Sequence, residues 1–290
     1  MSLENSIFFD TATLEEWLKE DVGYFDLTSH ILGLHSNKAR ITWVARHEMV
    51  ATCIEEAVRL LEQQGAKAES YKASGSLLQA GESILTATGP TQALLNCWKV
   101  VQNIFEYTCA VAHRALKMRQ SIDDVNPSVG LFTTRKHPPG LRRLVQKAVL
   151  SVDVYPHRLG LSETVLIFSQ HRSLLEGGWA ELKELINKQR KHLVEKKIII
   201  EVESLEEAIK AIDCGADALQ FDKIGADELK SIVDELQASG ILKEGMTLLA
   251  AGGIRQDNAA DYATTGVHGL VTSSIYFGPP ADVGVKLERL

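Results

Sequence analysis

The spacing of apolar positions changes character about halfway along the chain. Between residues 10 and 120 helical and strand periods are interspersed. The pattern predicts a helix at 13–19, an alternating strand at 39–46, a helix at 54–64 and short strands near 67–72 and 82–88. Gly89-Pro90 then opens a long helical stretch, 91–121, in which Leu94, Leu95, Trp98, Val101, Ile104 and Phe105 recur at intervals of three and four. From residue 130 onward, short apolar runs alternate with amphipathic segments, as parallel β/α units require. Strands are predicted at 131–136, 164–171, 197–203, 218–222, 247–253 and 269–274. Helices are predicted at 182–192, 205–214, 226–238 and 256–265, with Gly215, Gly240 and Gly266 at C-cap positions. Six such strands close either as a compact barrel or as an open doubly wound sheet, and the periodicity does not separate the two. Both place ligands at the carboxyl ends of the strands.

Composition narrows the classes of function. The chain has 290 residues, 45% hydrophobic and 24% charged, and its formal net charge of -7 leaves no global positive field for nucleic acid or anionic lipid. The first six residues lack a basic n-region, and no apolar run approaches the roughly 18 residues of a membrane span. The expectation is a cytoplasmic protein with neither a nucleic-acid nor a membrane partner. Cys53, Cys97, Cys109 and Cys214 form no C-x-x-C pair and sit in apolar stretches, as buried reduced thiols do. His47-Glu48 lacks the second histidine of a zincin, and His30, His35, His113, His192 and His268 are scattered.

The residues at the predicted strand ends carry the chemistry. Arg135-Lys136, Ser169-Gln170-His171, Glu201 with Glu203, Asp222-Lys223, Gly252-Gly253 and Ser273-Ser274 each close one strand. A packed interior needs none of these charges, and gathering them costs repulsion and desolvation unless a ligand compensates. The plain alternative is that strand ends simply meet solvent. Between Asp124 and Asp153 the chain has no acidic residue, whereas Arg135, Lys136, Arg142, Arg143 and Lys147 fall there and His157-Arg158 follow. Arginine binds carboxylate or phosphate in bidentate fashion and lysine serves phosphate as a point charge; for Arg142, Arg143 and Lys147 a solvated basic helix is the competing reading. Ala250-Ala-Gly-Gly-Ile254 runs toward a predicted helix carrying Asp257 and Asn258, so Gly252, Gly253, Ser273 and Ser274 are candidates for a phosphate cradle. Glu201 and Asp222, on adjacent strands, offer hard oxygen ligands for Mg²⁺ or ribose hydroxyls, with a structural salt bridge as the alternative.

Several of these stretches resemble one family. Thr133-Thr-Arg-Lys-His-Pro-Pro-Gly-Leu-Arg142, Lys147-Ala-Val and Tyr155-Pro-His-Arg-Leu-Gly-Leu161 look like the signature of the quinolinate (nicotinate-nucleotide) phosphoribosyltransferases. The similarity extends through Glu201-Val-Glu-Ser-Leu-Glu206, Leu219-Gln-Phe-Asp222 and Ala251-Gly-Gly-Ile254, and back to Leu18-Lys-Glu-Asp-Val-Gly-Tyr-Phe-Asp-Leu-Thr28. The branch it resembles most is the ModD proteins associated with molybdenum transport. The resemblance implies an α/β protein: an N-terminal α+β sandwich domain with its connecting helix (1–112), an incomplete six-stranded parallel β/α barrel (113–274), and a C-terminal segment (275–290) returning toward the first domain. It also implies a homodimer, or a higher even oligomer, whose sites receive a basic residue from the neighbour; Lys99 occupies that position. Arg135 and Lys136 fall on the family's strand-end pair and His157 and Arg158 on its acceptor-carboxylate pair. Glu201 and Asp222 fall on its ribose- and Mg²⁺-handling acids, and Gly252 and Gly253 on its phosphate loop.

The departures from the family pattern are informative. Phe168 stands in Val165-Leu-Ile-Phe-Ser-Gln-His171 where the family has a substrate-binding lysine followed by Asp-Asn-His. His137-Pro138 replaces two threonines. Val152-Asp153 replaces a glycine pair, adding an acid toward the acceptor end and removing two permissive backbone positions. The expected activity is transfer of phosphoribose from phosphoribosyl diphosphate, with Mg²⁺, to a nitrogen of a small anionic aromatic or heterocyclic acceptor, with release of diphosphate. Lys136, Glu201 and Asp222 would act on the reacting group, while Lys99, Arg135, His157, Arg158, Phe168 and His171 would bind substrate. The alternatives are a non-catalytic anion-binding protein of a molybdate uptake system and a barrel enzyme using Lys136 as a Schiff-base amine.

Overall fold

The computed structural model describes residues 7–34, 37–70 and 72–290. The N-terminal six residues, His35 and Tyr71 of the predicted strand 67–72 lie outside the described residues. In chain order the elements begin with α1 (Thr11–Asp21), α2 (Leu27–Ile31), β1 (Lys38–Ala45), β2 (Met49–Val50) and α3 (Ile54–Gln63). They continue with β3 (Lys67–Glu69), β4 (Leu77–Leu78), β5 (Ser83–Pro90), α4 (Thr91–Asp123), β6 (Gly130–Thr133), α5 (Arg142–Leu150) and β7 (Tyr155–Pro156). Then follow β8 (Val165–Ile167), α6 (Ser169–Arg172), α7 (Gly178–Gln189), β9 (Ile198–Val202), α8 (Leu205–Asp213), β10 (Ala218–Asp222) and α9 (Ala226–Ala238). The chain ends with β11 (Thr247–Ala251), α10 (Ala259–Ala263), β12 (Gly269–Thr272) and β13 (Val283–Arg289).

The chain divides into two compact units. One comprises the described part of Met1–Leu116 together with His137–Asp153 and Tyr276–Leu290, so α5 belongs to it although its sequence lies between two barrel strands. Its sheet runs β13-β1-β5-β3, with β1 antiparallel to both neighbours. Alternation along β1 buries Ala39, Ile41, Trp43 and Ala45, and Trp43 meets Phe105 of α4 edge to face at 6.4 Å. The strand β13, which the hydrophobic pattern does not reveal, is the C-terminal segment laid along β1, pairing Val285 with Trp43.

The other unit comprises Lys117–Lys136 and Val154–Ile275. Its seven parallel strands follow the order β7-β6-β12-β11-β10-β9-β8, a half-barrel sheet with β7 and β8 at its edges. Six of these are legible in the sequence; the seventh, β7, is two residues long and carries no period of its own. It is registered on β6 by Phe132↔Tyr155, and the His157 N–H donates to Thr133 O at 2.9 Å. At the base of the interior the Phe132 ring leaves no room for side chains at its neighbours: a Cβ on Gly130 or Gly269 would fall 2.6 or 2.7 Å from it.

Two predicted elements are shorter than expected. The strand at 164–171 stops at Ile167, because Phe168 starts the short helix α6 and its N–H is taken by His171 Nδ1 at 2.9 Å. The helix expected to follow Gly253 directly begins only at Ala259, because Asn258 Oδ1 accepts the Arg255 N–H (2.8 Å) and Asn258 Nδ2 donates to Gly253 O (3.1 Å), holding the intervening residues as a turn.

Candidate active site

Parallel strands that alternate inward and outward leave their last inward residues around a common opening. A cavity of about 410 Å³ lies there, lined by Arg135, Lys136, His157, Arg158, Phe168, Glu201, Asp222, Gly252, Gly253, Ser273 and Ser274 among others. Eleven of the thirteen residues singled out from sequence therefore meet at one site. His171 is not part of the lining; it stacks beneath Phe168, ring centroids 5.5 Å apart and planes 24° from parallel, and holds the Phe168 backbone through Nδ1. Lys99 belongs to the other unit, where Nζ donates to Gln102 Oε1 (3.1 Å) and lies 4.8 Å from the Trp98 ring centre.

One side of the cavity is cationic. Arg158 is buried (8% exposed) and donates to Thr164 O at 3.3 Å. Burial, and then the charge of Arg135, push its pKa down, so the two guanidiniums face a common region and repel each other until an anion enters. His157 is lowered to about 4, by burial first and by Arg158 second, and is a neutral imidazole near pH 7. Its Nε2 is buried and without a partner.

The opposite side is acidic. Glu201 is 8% exposed and its pKa is raised, by burial first and then by the charge of Asp222. Glu201 Oε2 accepts from Gln220 Nε2 at 3.0 Å, and Asp222 Oδ2 lies 3.1 Å from Lys223 Nζ. The salt bridge considered from sequence is thus present at Asp222, with the exposed Lys223 as its partner, whereas Glu201 is held by the Gln220 amide. Two crowded carboxylates fit Mg²⁺, which needs only one or two such ligands when phosphates and water supply the rest. Among the described residues no group of three or more His, Cys, Asp or Glu side chains could hold a metal ion without such help.

Between these sides Gly252 and Gly253 both take left-handed backbone, with φ of 79° and 75°. The turn is fastened to the next strand: Thr272 Oγ1 donates to Ile254 O (2.8 Å) and receives the Ser274 N–H (3.0 Å). Gly252, Gly253, Arg255, Ser273 and Ser274 all line the cavity, and successive backbone amides of such a turn are a group that can receive an anion.

Other sequence readings fall away from the cavity. Lys147 is neither solvated nor part of an anion field. It is 1% exposed, with Nζ 2.7 Å from Glu55 Oε2 and 2.6 Å from Glu56 Oε2. Arg143 pairs with Asp10 at 3.0 Å. Asp153 does not line the cavity; it is exposed and accepts a φ of 58° where the family pattern has glycine. The sequence pattern does not single out Gln220 or Arg255, although both line the site. A signal for Gln220 is nonetheless present: it shares the inward face of β10 with Ala218 and Asp222.

A half-barrel whose strand ends gather guanidiniums, neighbouring carboxylates and a glycine turn around one cavity has the chemistry of an enzyme pocket for an anionic substrate. The chain belongs to the quinolinate phosphoribosyl transferase family, whose N-terminal domain matches residues 26–109 and whose C-terminal domain matches residues 111–286. It is accordingly a pentosyltransferase, and a non-catalytic role is not favoured. Among its relatives, "Putative pyrophosphorylase ModD" of Pasteurella multocida is 31% identical over 98% of this chain and 99% of its own. The protein of the same name from Rhodobacter capsulatus is 38% identical over 87% of this chain and 95% of its own. Among solved structures, the nicotinate-nucleotide pyrophosphorylase of Ehrlichia chaffeensis superposes with a TM-score of 0.85 at 23% identity, covering 97% of this chain and 99% of that one. Among the described residues no helix is long and apolar enough to cross a membrane.

Proposed function

We propose that the protein transfers the phosphoribosyl group of phosphoribosyl diphosphate to a ring nitrogen of a small heteroaromatic acid. The observation that carries this reading is the convergence, on one cavity, of the Arg135–Arg158 pair, the Glu201–Asp222 pair and the Gly252-Gly253 turn. Cleavage of the C1–O bond develops positive charge on the ribose and negative charge on the departing diphosphate. Glu201 and Asp222 stabilise the former, and Lys136 with Arg255 the latter. Arg135 and Arg158 hold the acceptor carboxylate so that the nitrogen approaches C1 in line with the leaving oxygen. Mg²⁺ held by Glu201 and Asp222 would neutralise diphosphate charge. Arg135, Lys136, Arg158 and Arg255 all line the cavity, and a site that gathers its cations before substrate arrives needs less reorganisation at the moment of reaction.

The test is incubation with phosphoribosyl diphosphate, Mg²⁺ and a panel of heteroaromatic acids, following diphosphate release, with calorimetry of phosphoribosyl diphosphate alone. The expected result is Mg²⁺-dependent binding that is lost in a folded Asp222→Ala protein, and acceptor-dependent release. Absence of Mg²⁺-dependent binding, or binding unchanged by Asp222→Ala, overturns the assignment.

A further inference from the structure

The interior of the half barrel has a polar layer that its packing does not require. Strand register sets Glu201 beside Gln220 and Gln220 beside Leu249. Below this layer lie the apolar Leu166, Ile199 and Ala218, against which Phe168 packs. Gln220 is 4% exposed, so its amide has left water almost completely. One half of that amide is satisfied, since Nε2 donates to Glu201 Oε2 at 3.0 Å. That bond fixes the orientation of the amide and turns Oε1 away from Glu201. Oε1 is buried and has no partner, while the side chain lines the cavity. A buried carbonyl oxygen without a donor is costly, and native proteins keep one where a ligand or ordered water completes it.

The charge of the cavity limits what that ligand carries. On the acceptor side the cations are Arg135 and Arg158. His157 beside them is uncharged, and Phe168 presents an aromatic face fixed by His171. Two adjacent guanidiniums suit one carboxylate held by both. A second carboxylate would meet the Phe168 ring or the carboxylates of Glu201 and Asp222, or would compete with the diphosphate for Lys136 and Arg255.

We propose that the acceptor is a monocarboxylate that also carries a hydrogen-bond donor, an amino, hydroxyl or ring N–H group, and that Gln220 Oε1 is the atom that reads it. The proposal rests on the phosphoribosyl-transfer reading and specifies its acceptor class. Gln220 becomes a specificity determinant: a site that must satisfy a buried acceptor discriminates strongly against analogues without the matching donor.

The test titrates the full-length protein with nicotinate, quinolinate and the four ring-amino nicotinates, each with Mg²⁺ and phosphoribosyl diphosphate binding measured in parallel. At least one aminonicotinate is expected to bind tenfold or more tightly than both nicotinate and quinolinate. In Gln220→Met that advantage should shrink to about twofold; because the variant also frees Glu201, the readout is the ratio of acceptor affinities within the variant and not its phosphoribosyl diphosphate affinity. If no aminonicotinate exceeds nicotinate, if quinolinate binds best, or if the preference survives in Gln220→Met, the inference is overturned. The ranking in the unmodified chain decides the matter alone should the variant fail to fold. Failure of the underlying reading has a separate signature, loss of Mg²⁺-dependent phosphoribosyl diphosphate binding in the unmodified chain.

Discussion

Gly252 passes so close to Asp222 that a Cβ added to it would lie 2.5 Å from Asp222 Oδ1 and 2.6 Å from the Lys223 backbone nitrogen. The phosphate turn and one of the two carboxylates thus share a single contact surface, and neither can change without moving the other. Gly252→Ala is expected to lower kcat/KM by about a hundredfold or more, because a misplacement on the order of 1 Å at a reacting centre has that effect. Gly253 has open space where its Cβ would stand, so Gly253→Ala meets only the left-handed strain of about 1–2 kcal/mol. Steady-state kinetics of the two alanine variants, with thermal melts as the folding control, compare the predictions. Equal losses in both would mean that backbone strain, and not the Asp222 contact, is what matters.

His157 should remain neutral through the range in which histidine ordinarily titrates. Its pKa is lowered to about 4 by burial first and Arg158 second, so the unfolded chain, near 6.5, takes up the proton more readily than the folded one. The sign follows from linkage: this group destabilises the fold as pH falls from about 6.5 toward 4, and contributes no pH dependence above that window. Nitrogen-15 chemical shifts of the His157 ring between pH 5 and 8 measure it directly. A midpoint above 6 in the ligand-free protein would contradict the burial described.

In the first unit, Lys147 is buried against Glu56 and also pairs with the partly exposed Glu55. Burial opposes the charge on Glu55, but hydrogen bonds from Lys147 and Ser74 outweigh it and lower its pKa. That contribution is present above the unfolded carboxylate pKa and fades as pH falls through the lower folded value. Lys147→Met leaves Glu56, 4% exposed, without its partner, a change that costs about 3–5 kcal/mol. Lys147→Met combined with Glu56→Gln should recover part of the loss. Urea unfolding followed by Trp43 and Trp17 fluorescence reads both, and a single variant as stable as the parent would show that these ion pairs contribute nothing.

The family resemblance assigns the position of Lys99 to a basic residue donated by a neighbouring subunit. The active assembly is therefore expected to be at least a dimer, and Lys99→Ala should raise KM for a substrate anion while leaving the cavity of its own chain intact. Mixing Lys99→Ala with an Asp222→Ala protein should restore activity, because each mixed dimer then holds one complete site. Light scattering that shows a fully active monomer at assay concentration would defeat the idea.

Much of this site is legible in the sequence, because a parallel strand must end where ligands bind and its last residues are visible in the chain. The strand Ala218–Asp222 and the helix Ala226–Ala238 have the boundaries expected from periodicity. What periodicity misses is set by tertiary contacts. The two-residue β7 exists because β6 offers it an edge, and β13 because β1 does. Lys147 reads as a solvated cation because its partners, Glu55 and Glu56, lie about ninety residues earlier in sequence. Gln220 escapes notice because a lone amide in an apolar strand carries no motif; alternation with Asp222 places it on the inward face, and the orphaned oxygen then marks it.

Phe168 is where the site departs most from the family pattern, and its surroundings show why the change is not easily absorbed. Its ring is stacked on His171, its N–H is held by His171 Nδ1, and it packs against Leu166, Ile199 and Ala218. A rotation of the ring away from the cavity would give up the His171 stack and the contacts with this apolar cluster. A lysine in its place would give a second acceptor carboxylate a charge-assisted hydrogen bond worth roughly 1.5–3 kcal/mol; with phenylalanine that carboxylate is desolvated and unpaired. At about 1.4 kcal/mol per tenfold, that bond alone corresponds to a preference of roughly ten- to a hundredfold for acceptors with fewer anionic groups, and the unpaired desolvation adds to it. Phe168→Lys should move selectivity toward the dicarboxylate. The measurement is kcat/KM for quinolinate in both proteins. Efficient turnover of quinolinate by the unmodified chain would show that Arg135, Arg158 and Lys136 hold both carboxylates unaided, and that Phe168 sets no limit on the acceptor.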